Sequence, residues 1–318
     1  MKNTVRFWGI IAMAAIFGLS FASCSGVNDL LGRNSGGGGG NTRIPASIAS
    51  ASAGVSHTVV ITTGGELWAW GRHGPPSRDP VRMGDAANWA SVSAAGGGLI
   101  TGHHTTVPIT GHTLVITTNG ELWAWGANSS GQLGDGTILS RETPVRIGDA
   151  ANWASVSTSA SHSVALTESG ELWAWGANSS GQLGDGTTYT RFAPVRVGTA
   201  NWASASAGGG LTVAITTSGQ LWAWGAGTGS QTPVRIGDAA NWASVSGSGP
   251  TTGTQFTGTS GETVIAVAIT EDGMLWDLRS RSNWVQGETV TTIRPERIGD
   301  AAHWASVSAG GGHFVAVT

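Results

Sequence analysis

The stretch Trp123-Ala124-Trp125-Gly126-Ala127-Asn128-Ser129-Ser130-Gly131-Gln132-Leu133-Gly134-Asp135-Gly136-Thr137 returns residue for residue at Trp173–Thr187. Fifteen residues copied at a distance of 50 mark a repeat architecture, and a period near fifty is that of a propeller blade. Working outward, Glu66-Leu67-Trp68-Ala69-Trp70-Gly71 recurs at Glu121–Gly126 and Glu171–Gly176, then as Gln220–Gly225 and in worn form as Met274–Arg279. Asn88-Trp89-Ala90-Ser91-Val92-Ser93 recurs from Asn152, Asn201, Asn241 and His303, and Ile48–Ser52 is an earlier worn copy. Pro80-Val81-Arg82-Met83-Gly84 recurs from Pro144, Pro194, Pro233 and Pro295. The Leu-Trp copies at Trp68, Trp123, Trp173, Trp222 and Trp276 are 55, 50, 49 and 54 residues apart.

Each unit reads as short strands. Thr113-Leu114-Val115-Ile116-Thr117 is rich in β-branched residues, and Asn119-Gly120 leads straight into Glu121-Leu122-Trp123. Ser169-Gly170, Ser218-Gly219, Asp272-Gly273 and Gly64-Gly65 hold the same hairpin position, where a tight turn needs positive φ. Four strands per unit of about fifty predict an all-β propeller of four-stranded blades. Five full units and a partial one make about six blade positions with imperfect closure, and a truncated seven-bladed form is the rival arrangement. Thr42-Arg43-Ile44 resembles Val145-Arg146-Ile147, which would let the N-terminus supply an outer strand to the last blade.

Composition agrees. The chain has 318 residues, of which 51 are Gly and 16 are Trp, against one Tyr and one Cys. With 40% apolar residues it can bury a core, so wholesale disorder is excluded. A net charge of −3 provides no basic footprint for nucleic acid. One cysteine excludes a disulfide framework and any multi-cysteine zinc site.

Ahead of the repeats, Met1–Arg6 is basic and Phe7–Phe21 is an uncharged, mostly apolar run. Residues 1–23 are expected to be a secretory signal peptide. Cys24 follows Phe21-Ala22-Ser23, which resembles a bacterial lipobox with Phe at the position where Leu is preferred. Lipidation of Cys24 would anchor the protein to a membrane, and Ser25 after it favours export onward to an outer membrane or cell surface. Residues 24–41, with Gly36–Gly40 in a row, read as a flexible tether. Residues 42–318 are the propeller, expected to be monomeric.

The WG-x-N-x-x-G-Q-L-G-x-G string at 125–136 and 175–186, with His at 57, 112, 162 and 313 before Thr, Ser or Phe, resembles the regulator of chromosome condensation repeat family. The resemblance covers nearly everything from about residue 44 and implies a propeller, usually of seven blades. Relatives of that kind include exchange factors for a nuclear GTPase and secreted inhibitors of β-lactamases. The departures are that only two units keep the Gln-Leu-Gly loop, and that Arg72–Asp79, Ala226–Thr232 and Asp277–Thr292 replace it elsewhere.

Trp68, Trp70, Trp123, Trp125, Trp173, Trp175, Trp222 and Trp224 recur in successive units, as core residues must, so packing between blades outweighs a sugar- or cation-binding platform. His57, His112, His162 and His313 share one repeat position, each on a different blade and too far apart to chelate, and are read as satisfying a nearby turn. Arg82, Arg146, Arg196, Arg235 and Arg297 share a repeat position, and Asp85, Asp149, Asp238 and Asp300 three residues on from four of them suggest a local Arg–Asp pair or a capped turn. Asp135 and Asp185 lack the alternating acids of a calcium loop. No P-loop, HExxH or nucleophile elbow is present, so neither a catalytic residue nor a cofactor or metal is assigned.

Departures from the period are where function is expected. From the first-strand Trp position to the next Leu of Leu-Trp is 19 residues in three units (Ile48 to Leu67, Trp153 to Leu172, Trp202 to Leu221) but 33 from Trp89 to Leu122 and from Trp242 to Leu275. Two 14-residue insertions thus enter one connection of the blade, three units apart. Ile100, His103, His104, Ile109, Thr254 and Phe256 on these insertions are the candidate contacts for a protein partner. The leading expectation is a non-enzymatic, lipid-anchored envelope scaffold. An enzyme inhibitor or regulator, and a glycan-binding lectin, are the alternatives.

Overall fold

The structure, a computed structural model, describes residues 44, 47–54, 57–71, 77–95, 111–248, 263–285, 288–301, 303–309 and 314–318. Five four-stranded antiparallel sheets follow one another along the chain, and a two-stranded sheet ends the series. Blade 1 holds β1 (Ile48–Ala53), β2 (His57–Thr62), β3 (Leu67–Gly71) and β4 (Ser77–Arg82). Blade 2 holds β5 (Trp89–Ala94), β6 (His112–Thr117), β7 (Glu121–Gly126) and β8 (Arg141–Ala151). Blade 3 holds β9 (Trp153–Thr158), β10 (His162–Thr167), β11 (Leu172–Gly176) and β12 (Arg191–Arg196). Blade 4 holds β13 (Trp202–Ala207), β14 (Leu211–Thr216), β15 (Leu221–Gly225) and β16 (Ser230–Arg235). Blade 5 holds β17 (Trp242–Gly247), β18 (Thr263–Thr270), β19 (Leu275–Val285) and β20 (Glu288–Arg297), and the sixth position holds β21 (Ser306–Ala309) and β22 (Phe314–Val317).

Each sheet is a meander in chain order, and its strands follow from the residues. β6, β10 and β14 are buried at every position, which is why they read as continuous apolar or hydroxyl runs rather than as an alternation. The second and third strands meet at tight turns. At Gly120, φ is +76° and a Cβ would lie 2.8 Å from the carbonyl oxygen of Ala151, so both the backbone and the space demand glycine.

The core consists of slabs between neighbouring blades. Val59, Ile61, Leu67 and Ala69 of blade 1 pack on Trp89, Val92, Val115 and Trp125 of blade 2. The same arrangement joins blades 2 and 3, 3 and 4, and 4 and 5. Trp125, Trp175 and Trp224 are fully buried in these slabs, each worth roughly 4–6 kcal/mol as an upper bound on the area it removes from water. The half-buried Trp123, Trp173, Trp222 and Trp276 meet the first-strand indoles edge to face, with ring centroids 5.9 Å (Trp89), 6.2 Å (Trp153), 6.1 Å (Trp202) and 5.8 Å (Trp242) apart. Trp68 in blade 1 is half-buried like its equivalents, whereas Trp70 is half-buried where Trp125, Trp175 and Trp224 are fully buried, since no blade precedes blade 1 among the described residues.

The innermost strands are latched in series. Ser52 Oγ accepts from the amide of Ala94, Ser93 Oγ from Thr158, Ser157 Oγ from Ala207, Ser206 Oγ from Gly247, and Ser246 Oγ from Ala309, at 2.9–3.1 Å. The histidines add a second link. His57 Nε2 lies 2.9 Å from Thr113 Oγ1, His112 Nε2 2.7 Å from Ser163 Oγ, and His162 Nε2 3.1 Å from Thr212 Oγ1. They therefore reach across to the next blade, a correction to the reading that they serve a nearby turn. His162 also meets a nearby turn, through Nδ1 to Ser159 Oγ at 2.6 Å. At the next junction Leu211 and Ala266 share an apolar cluster, so the imidazole and its hydroxyl partner are replaced together.

The arc of about six blades is not closed. Ile48 at one end and Phe314, Val315 and Val317 at the other are exposed. Thr42 and Arg43, proposed to supply a closing strand, lie outside the described residues, and β22 pairs only with β21 among the described residues.

Candidate functional site

In a meander, the connection between the first and second strands and that between the third and fourth emerge at the same end of the sheet. The backbone confirms their proximity, since the Ala127 amide donates to the Gly111 carbonyl at 2.7 Å. One face of the arc therefore carries both kinds of connection, and both 14-residue insertions, between β5 and β6 and between β17 and β18, root on it. Ile100, His103, His104, Ile109, Thr254 and Phe256 themselves lie outside the described residues, as do Cys24 and His313.

The repeated loop is a rigid mount on this face. Asn128 is fully buried. Its Nδ2 donates to Asp135 Oδ1 (3.1 Å), Thr137 O (3.0 Å) and Leu139 O (3.1 Å), while its Oδ1 accepts from the Leu133 amide at 3.0 Å. Asp135 accepts from the Thr137 amide and hydroxyl and pairs with Arg141 through Nε at 2.8 Å and Nη2 at 2.7 Å. Burial alone would raise the Asp135 carboxyl, but the hydrogen bonds from Thr137, Arg141 and Asn128 outweigh it and hold the group below the ordinary carboxylate value. Asn178, Asp185, Thr187 and Arg191 repeat this frame in blade 3. The Gln132 carbonyl accepts from Trp175 Nε1 (2.9 Å) and Ser163 Oγ (2.8 Å) of the next blade. Gln182 does the same with Trp224 and Thr212.

What these frames hold outward is apolar. Leu139 is 61% and Tyr189 72% exposed, and Ile138 and Phe192 are exposed beside them. The Gly136 amide donates to the Phe192 carbonyl at 2.9 Å, so the blade 2 loop rests on blade 3 and the four side chains belong to adjoining elements. Exposed apolar side chains on a fixed frame suit contact with a protein. Sequence reasoning missed them. The available signal was that residues 123–137 and 173–187 are identical while Ile138-Leu139 and Thr188-Tyr189, immediately after, are not.

Blade 5 departs further. Asp277–Thr292, read as a divergent loop, is part of a regular ribbon paired from Trp276↔Arg297 to Val285↔Glu288. Since β18 pairs with β19 only as far as Ser280, the ribbon runs about 17 Å beyond its sheet. Arg279 pairs with Asp277 at 2.9 Å and Glu296 at 3.0 Å at its base, and Ser280 Oγ donates to the Gly227 carbonyl of the short blade 4 loop.

The opposite face is structural. Arg82, Arg146, Arg235 and Arg297 donate to the backbone carbonyls of Asp85, Asp149, Asp238 and Asp300 at 2.8–3.2 Å. The ion pairs are instead with the cross-strand acids, Arg82–Glu66 at 3.3 Å, Arg146–Glu121 at 3.3 Å and Arg196–Glu171 at 3.1 Å. The local Arg–Asp pair is thus a capped turn. Among the described residues no three His, Cys, Asp or Glu side chains converge as a metal site would need.

Comparison with known proteins agrees with this geometry. A model of the regulator of chromosome condensation (RCC1) repeat matches residues 119–166 and 169–215, and a second RCC1 repeat model matches 48–74 and 153–182. The RCC1 domain-containing protein RUG3, mitochondrial, of Arabidopsis thaliana is 35% identical over 101 residues, 29% of this chain and 21% of its own length. Protein RCC2 of Homo sapiens is 40% identical over 90 residues, 26% of this chain and 15% of its own. The matched part thus spans about a fifth or less of these relatives. Human WBSCR16 superposes with a TM-score of 0.66 at 19% identity, covering 85% of this chain and 71% of that one. Yeast RCC1 (Prp20), solved bound to Kap60, superposes at 0.64 and 18%, covering 85% and 67%. A second Prp20p structure from Saccharomyces cerevisiae, described with its binding to Gsp1p and histones, also superposes at 0.64, with 19% identity over 85% of this chain and 69% of that one.

Proposed function

The chain belongs to the RCC1-repeat family of β-propellers, and on that premise we propose that it is a non-enzymatic protein-interaction scaffold that binds through the face bearing the insertions. The single observation that carries this reading is the set of exposed apolar residues, Ile138, Leu139, Tyr189 and Phe192, held on hydrogen-bonded frames. The protein binding described for Prp20p is consistent with it. An exchange-factor-like or inhibitory role toward an enzyme is the second reading, favoured by the same neighbours.

The test is a photo-crosslinking amino acid placed at Tyr189 and, separately, at Ser169 on the opposite face. Partner adducts from Tyr189 alone support the proposal. Equal adducts from both, or none from Tyr189, overturn it. A captured enzyme whose rate changes on addition of the protein identifies the regulatory reading.

The proposal extends to location. The basic, then apolar, leader and the single Cys24 fit an exported lipoprotein of the bacterial cell envelope, acting as a monomer and tethered by residues 24–41. Palmitate labelling that disappears in Cys24→Ser is the expected result. Equal labelling of both chains removes the anchor from the proposal.

A further inference from the structure

The two copies of the fifteen-residue loop build neighbouring sites on one frame with different side chains. The blade 2 copy is followed by Ile138-Leu139 and rests on Phe192 of β12, whereas the blade 3 copy is followed by Thr188-Tyr189 and rests on Gln231 of β16. The seating is the same in both. The Gly136 amide donates to the Phe192 carbonyl at 2.9 Å, and the Gly186 amide donates to the Gln231 carbonyl at 3.1 Å. Ala193 and Thr232 come next on their strands. Position for position, the apolar set at the junction of blades 2 and 3 is replaced at the next junction by one aromatic ring, one carboxamide and two hydroxyls.

This second set is held in place while its polar groups stay uncommitted. Tyr189 is 72% exposed, and Thr188, Gln231 and Thr232 are exposed with it. The Tyr189 amide donates to Thr187 Oγ1 at 3.3 Å, which fixes the backbone under the ring. The stem of Gln231 is pressed against the loop, since a Cβ on Gly181 would lie 2.7 Å from its Cα and 2.8 Å from its Cγ. The charged side chains of the loop, Asp185 and Arg191, neutralise each other at 2.7 Å. Among the described residues the Tyr189 and Thr188 hydroxyls and the Gln231 carboxamide enter no hydrogen bond.

We infer that the junction of blades 3 and 4 is a binding site for a neutral sugar, with the Tyr189 ring as its platform and the Gln231 carboxamide as its polar clamp. A pyranose has a face of C–H groups and a rim of hydroxyls. The exposed phenol ring offers a flat apolar surface to the face, and a carboxamide, which both donates and accepts, meets adjacent hydroxyls of the rim. With Asp185 and Arg191 paired to each other, the set suits an uncharged ligand. The aliphatic side chains that suit a protein contact stand at the other junction, as Ile138 and Leu139. A ring and a stem fixed in advance lower the ordering cost of binding. This assignment goes beyond the protein-binding reading of the same face and does not rest on it.

The test is saturation-transfer difference NMR on the 318-residue chain with maltotriose, cellotriose, mannotriose and chitotriose, each added alone. Transfer to the ring protons of at least one is expected. Tyr189→Ser is expected to abolish it, Tyr189→Phe to keep it, and Gln231→Ala to weaken binding about tenfold. Leu139→Ser, on the neighbouring frame, is expected to leave it unchanged. These side chains are exposed, and an unaltered urea midpoint shows that each variant is folded. No transfer from any of the four sugars overturns the inference, as does transfer that survives Tyr189→Ser or is lost equally in Leu139→Ser. The readout is sugar alone, so its failure leaves cross-linking from Tyr189 to decide the protein-binding reading separately.

Discussion

At the residue scale, the blade junctions show why the same position holds histidine three times and then leucine. A buried imidazole needs a partner, and Thr113, Ser163 and Thr212 supply it from the next blade. Where the hydroxyl becomes Ala266, the imidazole becomes Leu211. Burial pushes His112 and His162 down to about 3, with the neighbouring imidazoles His162 and His57 adding to the effect at His112. The unfolded chain takes up protons on these groups near pH 6.5 while the folded chain does not. Their contribution to stability is therefore complete above about pH 6.5 and is lost as pH falls toward 3, at about 1.4 kcal/mol per pH unit for each imidazole. Asp135 and Asp185, whose folded values are depressed, contribute above the ordinary carboxylate range and lose that contribution only below it. Urea denaturation between pH 6 and pH 4 thus isolates the histidines. The double variant His162→Leu with Thr212→Ala, which copies the native Leu211–Ala266 pair, is expected to lower the acid slope by about half. An unchanged slope would show that the buried imidazoles do not control it.

At the scale of the element, the 124–136 loop is legible in outline from its glycines but not in its cause. Gly134 has φ +81°, and a Cβ there would lie 2.7 Å from Trp175 Nε1, whereas Gly136 has φ +79° with nothing within 4 Å. Gly136→Ala is expected to cost about 1 kcal/mol, the left-handed penalty alone. Gly134→Ala adds the collision with a fully buried indole and is expected to cost about 3 kcal/mol, measured by urea denaturation. Equal losses would mean that the loop does not hold the next blade. Strands and turns were readable because each copy confirms the others. The β19–β20 ribbon was not, because Asp277–Thr292 has no second copy, and only cross-strand pairing reveals it. Likewise the arginine series was visible, but its partners were not, since Glu66 and Arg82 meet only once β3 and β4 pair.

At the scale of the molecule, stability is a sum over junctions, because each blade buries its slab only against its neighbours. Blades 2, 3 and 4 are covered on both sides, while Ile48 and Val317 mark uncovered ends. Hydrogen exchange is expected to be slowest in β6, β10 and β14 and faster in β2 and β22, reflecting opening from the ends of the arc. Uniform protection in all five would indicate that the ends are joined in solution.

The sequence by itself determined the repeat, its four strands, the turn glycines and the connection that takes the insertions, because each is local and written several times over. Only the tertiary structure decided which face is apolar and which junction partner each histidine meets. Those depend on residues about fifty apart coming together, and on Ile138, Tyr189 and Phe314, whose exposure no local pattern encodes.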